Sequence, residues 1–349
     1  MQDRLDSGRD SRPLSIPNAI EEEGLRRLVS SPVAAGSSEG AEFGNSLAIR
    51  LGLKQARRES GLAPYVYLVP ALLVYLAFFV YPFIQLVILS FQRWDGIKPK
   101  RWVGLANYQH LLFEDPKFWL SVRHNVLWMV AALVVPVAIG LLLAIVLYRS
   151  PLRGKVIFRT LYFMPQVLSS VVVALIWNWI YNPNYGALNR LLEAVGLDAL
   201  TRGWLGEPNL ALPALFIAWS WIHYGFTMVI FVAALQGIDE TYFDAAKVDG
   251  ANWWHQFRHV LVPFVQGPMT TVLLITAISS FQVFDIVFVL TRGGPADHTM
   301  IMSIWMYRNA FEFDKVGYGA AIAVLLGVIV LVMSVVFLRV RGVLGEEIE

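Results

Sequence analysis

Polar side chains that stand inside long apolar stretches are the residues of this sequence whose chemistry most needs explaining. Around position 280, Thr276, Ser279, Ser280 and Val283 fall on one helical face, Gln282 and Asp285 adjoin it, and Phe281 and Phe284 stand beside them. Hydroxyl and amide groups both donate and accept hydrogen bonds, a carboxylate accepts them, and an aromatic face covers C–H surface, so such a set suits a polyhydroxylated solute. Serine and threonine serve close helix packing equally well, and Ser279 and Ser280 support either reading. Asp285 is less telling if it lies near the end of its helix, where water reaches it.

Covalent and metal chemistry find little support. The chain has no cysteine, which excludes disulfides, thiolate metal sites and cysteine nucleophiles. His255 and His259 have the i, i+4 spacing that can share a metal ion, but no carboxylate accompanies them and no metal site is expected. There is no G-x-x-x-x-G-K-[ST] phosphate loop, and Gly293-Gly294-Pro295 reads as a turn with no helix start behind it. A membrane transferase would need acidic residues or histidine gathered for acid–base or metal work, and no such group is visible. No catalytic residue is assigned, and the chain is not expected to be an enzyme.

The elements that must position these residues are membrane helices. Of 349 residues, 56% are hydrophobic and only 15% charged, and the mean hydropathy is +0.55. The 28 Lys and Arg against 26 Asp and Glu give no field for nucleic acid. A bilayer core of about 30 Å needs around 20 apolar helical residues. Six stretches satisfy this, at 65–91, 126–148, 163–181, 211–235, 268–290 and 318–338; the third is short and contains Asn178. The expected fold is therefore an all-α integral membrane protein with six transmembrane helices in a permease domain over 61–345, preceded by a polar, largely disordered tail over 1–60. A charge at mid-membrane costs about 2.5–3.5 kcal/mol on the most lenient scale, so Gln282 and Asp285 point to a pore or to pairing between subunits.

Orientation follows from the loop between the second and third stretches, where Arg149, Arg153, Lys155 and Arg159 crowd together and should be cytoplasmic. Alternation places both termini in the cytoplasm, and no apolar run near the start suggests a cleaved signal. Residues 46–60 could form a basic amphipathic helix on the inner face or a solvated linker. The first outer loop is itself basic, with Arg93, Lys98, Lys100 and Arg101, against the usual asymmetry.

The connection between the fourth and fifth stretches, about 236–264, is not an ordinary loop. Tyr242, Ala245 and Ala246 share a face, Gly250 offers a turn, and Trp253, Phe257, Val260 and Leu261 recur at helical spacing, giving two short amphipathic helices. Such a pair either lies on lipid headgroups or docks a cytosolic partner, with Trp253 and Phe257 as anchors.

This segment resembles the cytoplasmic motif of binding-protein-dependent ABC importer permeases: Glu-Ala-Ala, three residues, Gly, nine residues, Ile, one residue, Leu-Pro. The chain has Asp244-Ala245-Ala246, Gly250, Val260 and Val262-Pro263 at the same spacings, with Asp for Glu and Val for Ile and Leu. The resemblance implies a coupling helix that seats in a groove of a cytosolic ATPase dimer, with Asp244, Ala245, Ala246, Asp249, Gly250, Trp253, Phe257 and Pro263 at or near the contact and Pro263 ending the helix before span five. ATP and Mg would then be bound by the ATPase, and this chain would bind no cofactor itself.

Further on, Leu290-Thr291, Gly293-Gly294-Pro295, Thr299, Tyr307, Ala310-Phe311 and Gly317-Tyr318-Gly319, with Gly104 to Tyr108 and Asp115-Pro116 earlier, resemble sugar-importer permeases of the maltose and glycerol-3-phosphate type. The likeness covers roughly 65–340. It implies a type I importer fold, a second, different permease subunit as heterodimer partner, an extracytoplasmic substrate-binding protein, a bacterial-type inner membrane and a carbohydrate substrate. By the same likeness, Trp221, His223, Tyr224 and Phe226 of span four join Thr276, Ser279, Ser280, Gln282, Val283 and Asp285 along the substrate path. His223 on its own residue type is more often a packed helix-interface group. A polyol phosphate is the alternative substrate, although the span-five face lacks Arg and Lys; a secondary transporter is the alternative of another class.

Overall fold

A computed structural model describes residues 63–150 and 153–346 of the chain. The proposed tail over 1–60 and its amphipathic segment lie outside the described residues. The first of two units ends at Leu76 and contributes helix α1 (Ala63–Tyr75). The second unit begins at Ala77 and holds α2 (Tyr81–Ser90), a two-strand ribbon of β1 (Gln92–Arg93) and β2 (Arg101–Trp102), and α3 (Ala106–Gln109). It continues with α4 (Pro116–Arg149), α5 (Lys155–Val167), α6 (Ser170–Ile180), α7 (Ala187–Ala194) and α8 (Pro208–Gln236). The last elements are α9 (Glu240–Val248), α10 (Trp253–Gln256), α11 (Val262–Phe281), α12 (Asp285–Leu290), α13 (Met302–Tyr307) and α14 (Val316–Glu346).

Among the described residues, five helical runs are long and apolar enough to cross a membrane: Tyr67–Ser90, Pro116–Arg149, Pro208–Gln236, Trp253–Leu290 and Val316–Arg339. The chain is thus a multi-pass membrane protein. The third expected span, over 163–181, is not one straight helix: α5 and α6 meet at a bend of 100°. Leu168 (ψ 146°) and Ser169 (ψ 136°) are extended there. Arms of 13 and 11 residues reach about 20 and 17 Å, so neither alone spans a 30 Å core. Composition could not show the break, because both sides of it are apolar.

Two expectations about helix ends are also corrected. Pro263 does not stop a helix; it stands in the first turn of α11, directly after the π-helical turn Phe257–Leu261. Proline lacks the N–H and its ring crowds the carbonyl four residues back, and a wider turn just before it relieves both conflicts. At the other end α11 stops at Phe281, and Phe284 (φ −142°, ψ −63°) leaves helical geometry before α12. Val283 therefore lies beyond the helix face that Thr276, Ser279 and Ser280 share.

Close crossings lock the bundle. A Cβ on Gly140 of α4 would lie 1.9 Å from the Thr227 Oγ1 of α8, and that hydroxyl donates to the Pro136 carbonyl at 2.9 Å. A Cβ on Gly225 of α8 would lie 2.3 Å from the Tyr162 carbonyl oxygen of α5. Backbone cannot yield as a flexible side chain does, so Gly225→Ala should lower stability by about 1–3 kcal/mol. Thermal melting of the purified protein in lipid nanodiscs checks this, and an unchanged midpoint would contradict the crossing.

Where α2, α4 and α14 begin or end together, Asp115 caps α4, accepting from the Lys117 and Phe118 N–H groups at 2.9 and 3.1 Å. Its second oxygen accepts from Trp305 Nε1 at 2.8 Å and the Tyr318 hydroxyl at 2.6 Å, tying α13 and α14 to the start of α4. The carboxylate is buried. Asn125 of α4 similarly accepts from the buried Met302 N–H at 2.8 Å.

Candidate functional site

One cavity, of about 240 Å³, opens among α6, α8 and the break between α11 and α12. Ser170 stands at the first residue of α6 because of the bend, Trp219, Ile222 and His223 come from one turn of α8, and Ser279, Gln282, Val283, Phe284, Asp285 and Ile286 come from the α11 end and the break. The Ser170 hydroxyl donates to Asp285 Oδ2, which places the carboxylate at the α6 N-terminus, where helix dipoles favour negative charge. Trp219 stacks on His223 with ring centroids 3.6 Å apart. His223 Nδ1 is 3.0 Å from the Trp219 carbonyl oxygen, which can only accept; Nδ1 carries the proton and Nε2 is left as the imidazole's second polar atom. Gln282 and Asp285 are exposed, while Val283 and Ile286 are buried.

Of the residues proposed for a substrate path, His223, Ser279, Gln282, Val283 and Asp285 come together here. The others are placed elsewhere. Thr276 is buried, and Ser280 is buried with its hydroxyl donating to the Ala277 carbonyl at 2.6 Å, which is packing geometry. Trp221 meets Trp177 edge-on at 6.0 Å, Tyr224 meets Tyr162 at 6.5 Å, and Phe226 is half-buried away from the cavity. Sequence reasoning missed Trp219 and Ser170. Trp219 was findable, because it lies one helical turn before His223; Ser170 was not, since only the bend brings it to Asp285.

At the opposite end of α4 lies a helical hairpin. Asp239 caps α9 by accepting from the Thr241 N–H at 2.9 Å, and the Thr241 backbone and hydroxyl hydrogen bonds hold the Asp239 carboxyl below the usual aspartate range. The α9 helix closes with the Ala251 N–H donating to the Ala246 carbonyl at 2.9 Å, and Gly250 takes φ +74° to reverse the chain. Asn252 then caps α10 through the His255 N–H at 3.0 Å.

One side of this hairpin is anchored. Phe243 is buried 6.3 Å from Tyr148, and Arg149, the last residue of α4, donates to Gln256 Oε1 at 3.0 Å and lies 5.8 Å over the Trp253 ring. The other side is open. Asp244, paired with Lys247 at 2.8 Å, is exposed together with Ala245, Asp249 and Gly250, while Ala246 is half-buried. Exposed Trp253 and Trp254 both stack on Phe257, at 5.4 Å each. No atom of the described residues lies within 4 Å of a Cβ built on Gly250.

The chain has recognisable relatives. The family described as "Binding-protein-dependent transport system inner membrane component" matches residues 136–346. The probable ABC transporter permease protein YurN of Bacillus subtilis is 37% identical over 283 residues, covering 80% of this chain and 96% of the relative. The probable starch degradation products transport system permease protein AmyD of Thermoanaerobacterium thermosulfurigenes is 31% identical, covering 80% and 93%. Among solved structures, a subunit of a bacterial ABC transporter for import of the acidic polysaccharide alginate superposes with a TM-score of 0.71 at 22% identity, covering 79% of this chain and 93% of that one, which supports the type I importer fold. With the multi-pass membrane fold and the exposed hairpin, these matches show that the chain belongs to the binding-protein-dependent ABC transporter permeases, the non-catalytic membrane subunits of these systems.

Proposed function

We propose that this permease forms half of a carbohydrate translocation path, with the cavity at the α11–α12 break as a substrate contact and the hairpin Glu240–Leu261 as the seat for a cytosolic ATPase dimer. The observation that carries the reading is the hairpin's division into two sides. One side is tied to the membrane helices through Arg149, Gln256 and Phe243, and the other presents exposed Ala245 and Gly250, with room for a partner at Gly250. Because Arg149 ends α4, a force on the hairpin is delivered directly to a membrane-spanning helix.

A second permease subunit completes the path, an extracytoplasmic binding protein delivers the solute, and ATP and Mg belong to the ATPase. Both chain termini lie in the cytoplasm in this reading. A carbohydrate is favoured because the cavity sets the Trp219 face beside amide, hydroxyl, imidazole and carboxylate groups, and because AmyD is named for starch products. A phosphate-bearing solute is disfavoured, since no Arg or Lys lines that cavity.

The test is a transporter reconstituted with its binding proteins, each charged with one sugar. A cognate sugar should stimulate ATP hydrolysis and uptake, and Gln282→Ala should lower uptake roughly 5- to 20-fold, the loss of one or two hydrogen bonds, without lowering the amount of assembled complex. Uptake unaffected by Gln282→Ala and by Trp219→Ala would remove the cavity from the path.

A further inference from the structure

At the end of the bundle opposite the hairpin, a larger cavity of about 710 Å³ lies between the β1–β2 ribbon and the start of α14. Its charged lining is Arg93, Lys98, Arg101 and Lys315 against Asp95 and Asp314. The Asp95 carboxylate is already engaged: it accepts from the Ile97 and Lys98 N–H groups at 3.1 and 2.8 Å and lies 3.4 Å from Lys98 Nζ, and these contacts hold it below the usual aspartate range. Arg93 and Arg101 face each other directly across the ribbon, an arrangement of like charges that weakens a strand pair. No carboxylate among the described residues pairs with either arginine or with Lys315.

The ribbon is held in this position by contacts that do not use the charges. The Asn107 amide donates to the Ser90 and Gln92 carbonyls at 2.8 and 3.0 Å, and the Gly317 N–H donates to the Trp94 carbonyl at 3.2 Å. A Cβ on Gly317 would lie 2.0 Å from the Gln92 carbonyl oxygen, so ribbon and helix approach as closely as glycine allows. The two arginines are therefore fixed side by side at the ends of membrane helices, and the basic outer loop that runs against the usual charge asymmetry is concentrated around one hollow.

The surroundings are those of a membrane surface. Arg93 follows the end of α2 by three residues and Lys315 directly precedes α14, so both stand at headgroup level. Lys100 sits 4.7 Å over the Trp94 ring, and Ile97 and Trp102 of the ribbon are 94% and 67% exposed, an apolar edge beside the charges that water alone would not favour. On α2 below, Phe83, Ile84 and Ile88 are exposed, as a lipid-facing surface would be. We propose that this cavity binds the headgroup of an anionic glycerophospholipid, with its phosphate between Arg93 and Arg101 and its acyl chains along α2. The site requires only that this end of the bundle reaches a membrane surface, and so it stands independently of substrate and coupling.

Native mass spectrometry of the assembled transporter, extracted from membranes containing equal phosphatidylglycerol and phosphatidylcholine, tests this. The wild type should retain phosphatidylglycerol preferentially, and Arg93→Ala with Arg101→Ala should weaken that retention on the order of 20-fold, the effect of two interfacial cations. The double lysine variant should keep most of it, which separates charge from fold. Equal retention of both lipids, or phosphatidylglycerol retention unchanged in the alanine variant, would overturn the proposal. So would an alanine variant that keeps its lipid but loses the binding protein or the second permease, since the cavity would then serve a protein.

Discussion

Gly250→Trp is expected to uncouple the transporter while leaving the chain folded and in the membrane. The hairpin reverses at Gly250 with φ +74°, and no atom of the described residues lies within 4 Å of a Cβ there, so a side chain can leave the backbone at this position without a clash inside the subunit. The left-handed conformation strains any L-residue by roughly 1–2 kcal/mol, and Gly250→Ala carries that same strain without the bulk. The pair of variants therefore separates backbone strain from partner exclusion. A steric conflict of about 1–3 kcal/mol at a docked surface corresponds to a loss of roughly 5- to 150-fold in ATPase binding for tryptophan, with alanine close to wild type. Co-purification of the ATPase subunit and ATP-driven uptake are the readouts. Equal behaviour of the two variants would assign the effect to the turn itself.

The largest effect on stability is expected at Asp115. Replacement by alanine removes the α4 cap and leaves two buried donors, Trp305 Nε1 and the Tyr318 hydroxyl, without their acceptor. Cap loss costs about 1 kcal/mol and each of the two stranded buried donors about 1–3 kcal/mol, so the total is about 3–7 kcal/mol, and α13 and the start of α14 should loosen from α4 first. Asp115→Asn keeps one carbonyl acceptor and should cost roughly half as much. Thermal unfolding in nanodiscs, with hydrogen exchange across 300–320, measures both. If Asp115→Ala melts with the wild type, the carboxylate does not hold this junction.

What could be read from the sequence was local. The hairpin was legible because its signals are contiguous: Tyr242, Ala245 and Ala246 on one face, Gly250 as the reversal, and Trp253, Phe257, Val260 and Leu261 at helical spacing. The membrane helices were legible because lipid imposes length and apolarity on them. The bend at Leu168 and Ser169 left no mark in composition, and with it the approach of Ser170 to Asp285 was invisible. Periodicity grouped Thr276, Ser279 and Ser280 on a face away from lipid, but it could not divide that face into the packed part, where Thr276 and Ser280 lie, and the open part, where Ser279 lies. Pro263 misled because a proline usually ends a helix, and here a π-helical turn absorbs it. Asp115 was noticed as half of a dipeptide; its role depends on Trp305 and Tyr318, which lie 190 and 203 residues further along the chain.

The central claim, that this permease moves its solute through coupling to an ATPase seated on the hairpin, is tested most directly by uptake of the cognate sugar into proteoliposomes holding the two permease subunits, with and without the ATPase and ATP. Uptake should require both ATPase and ATP and should stop with Gly250→Trp. Accumulation of the solute by the permease subunits alone, without ATP, would contradict the account and identify a secondary transporter instead.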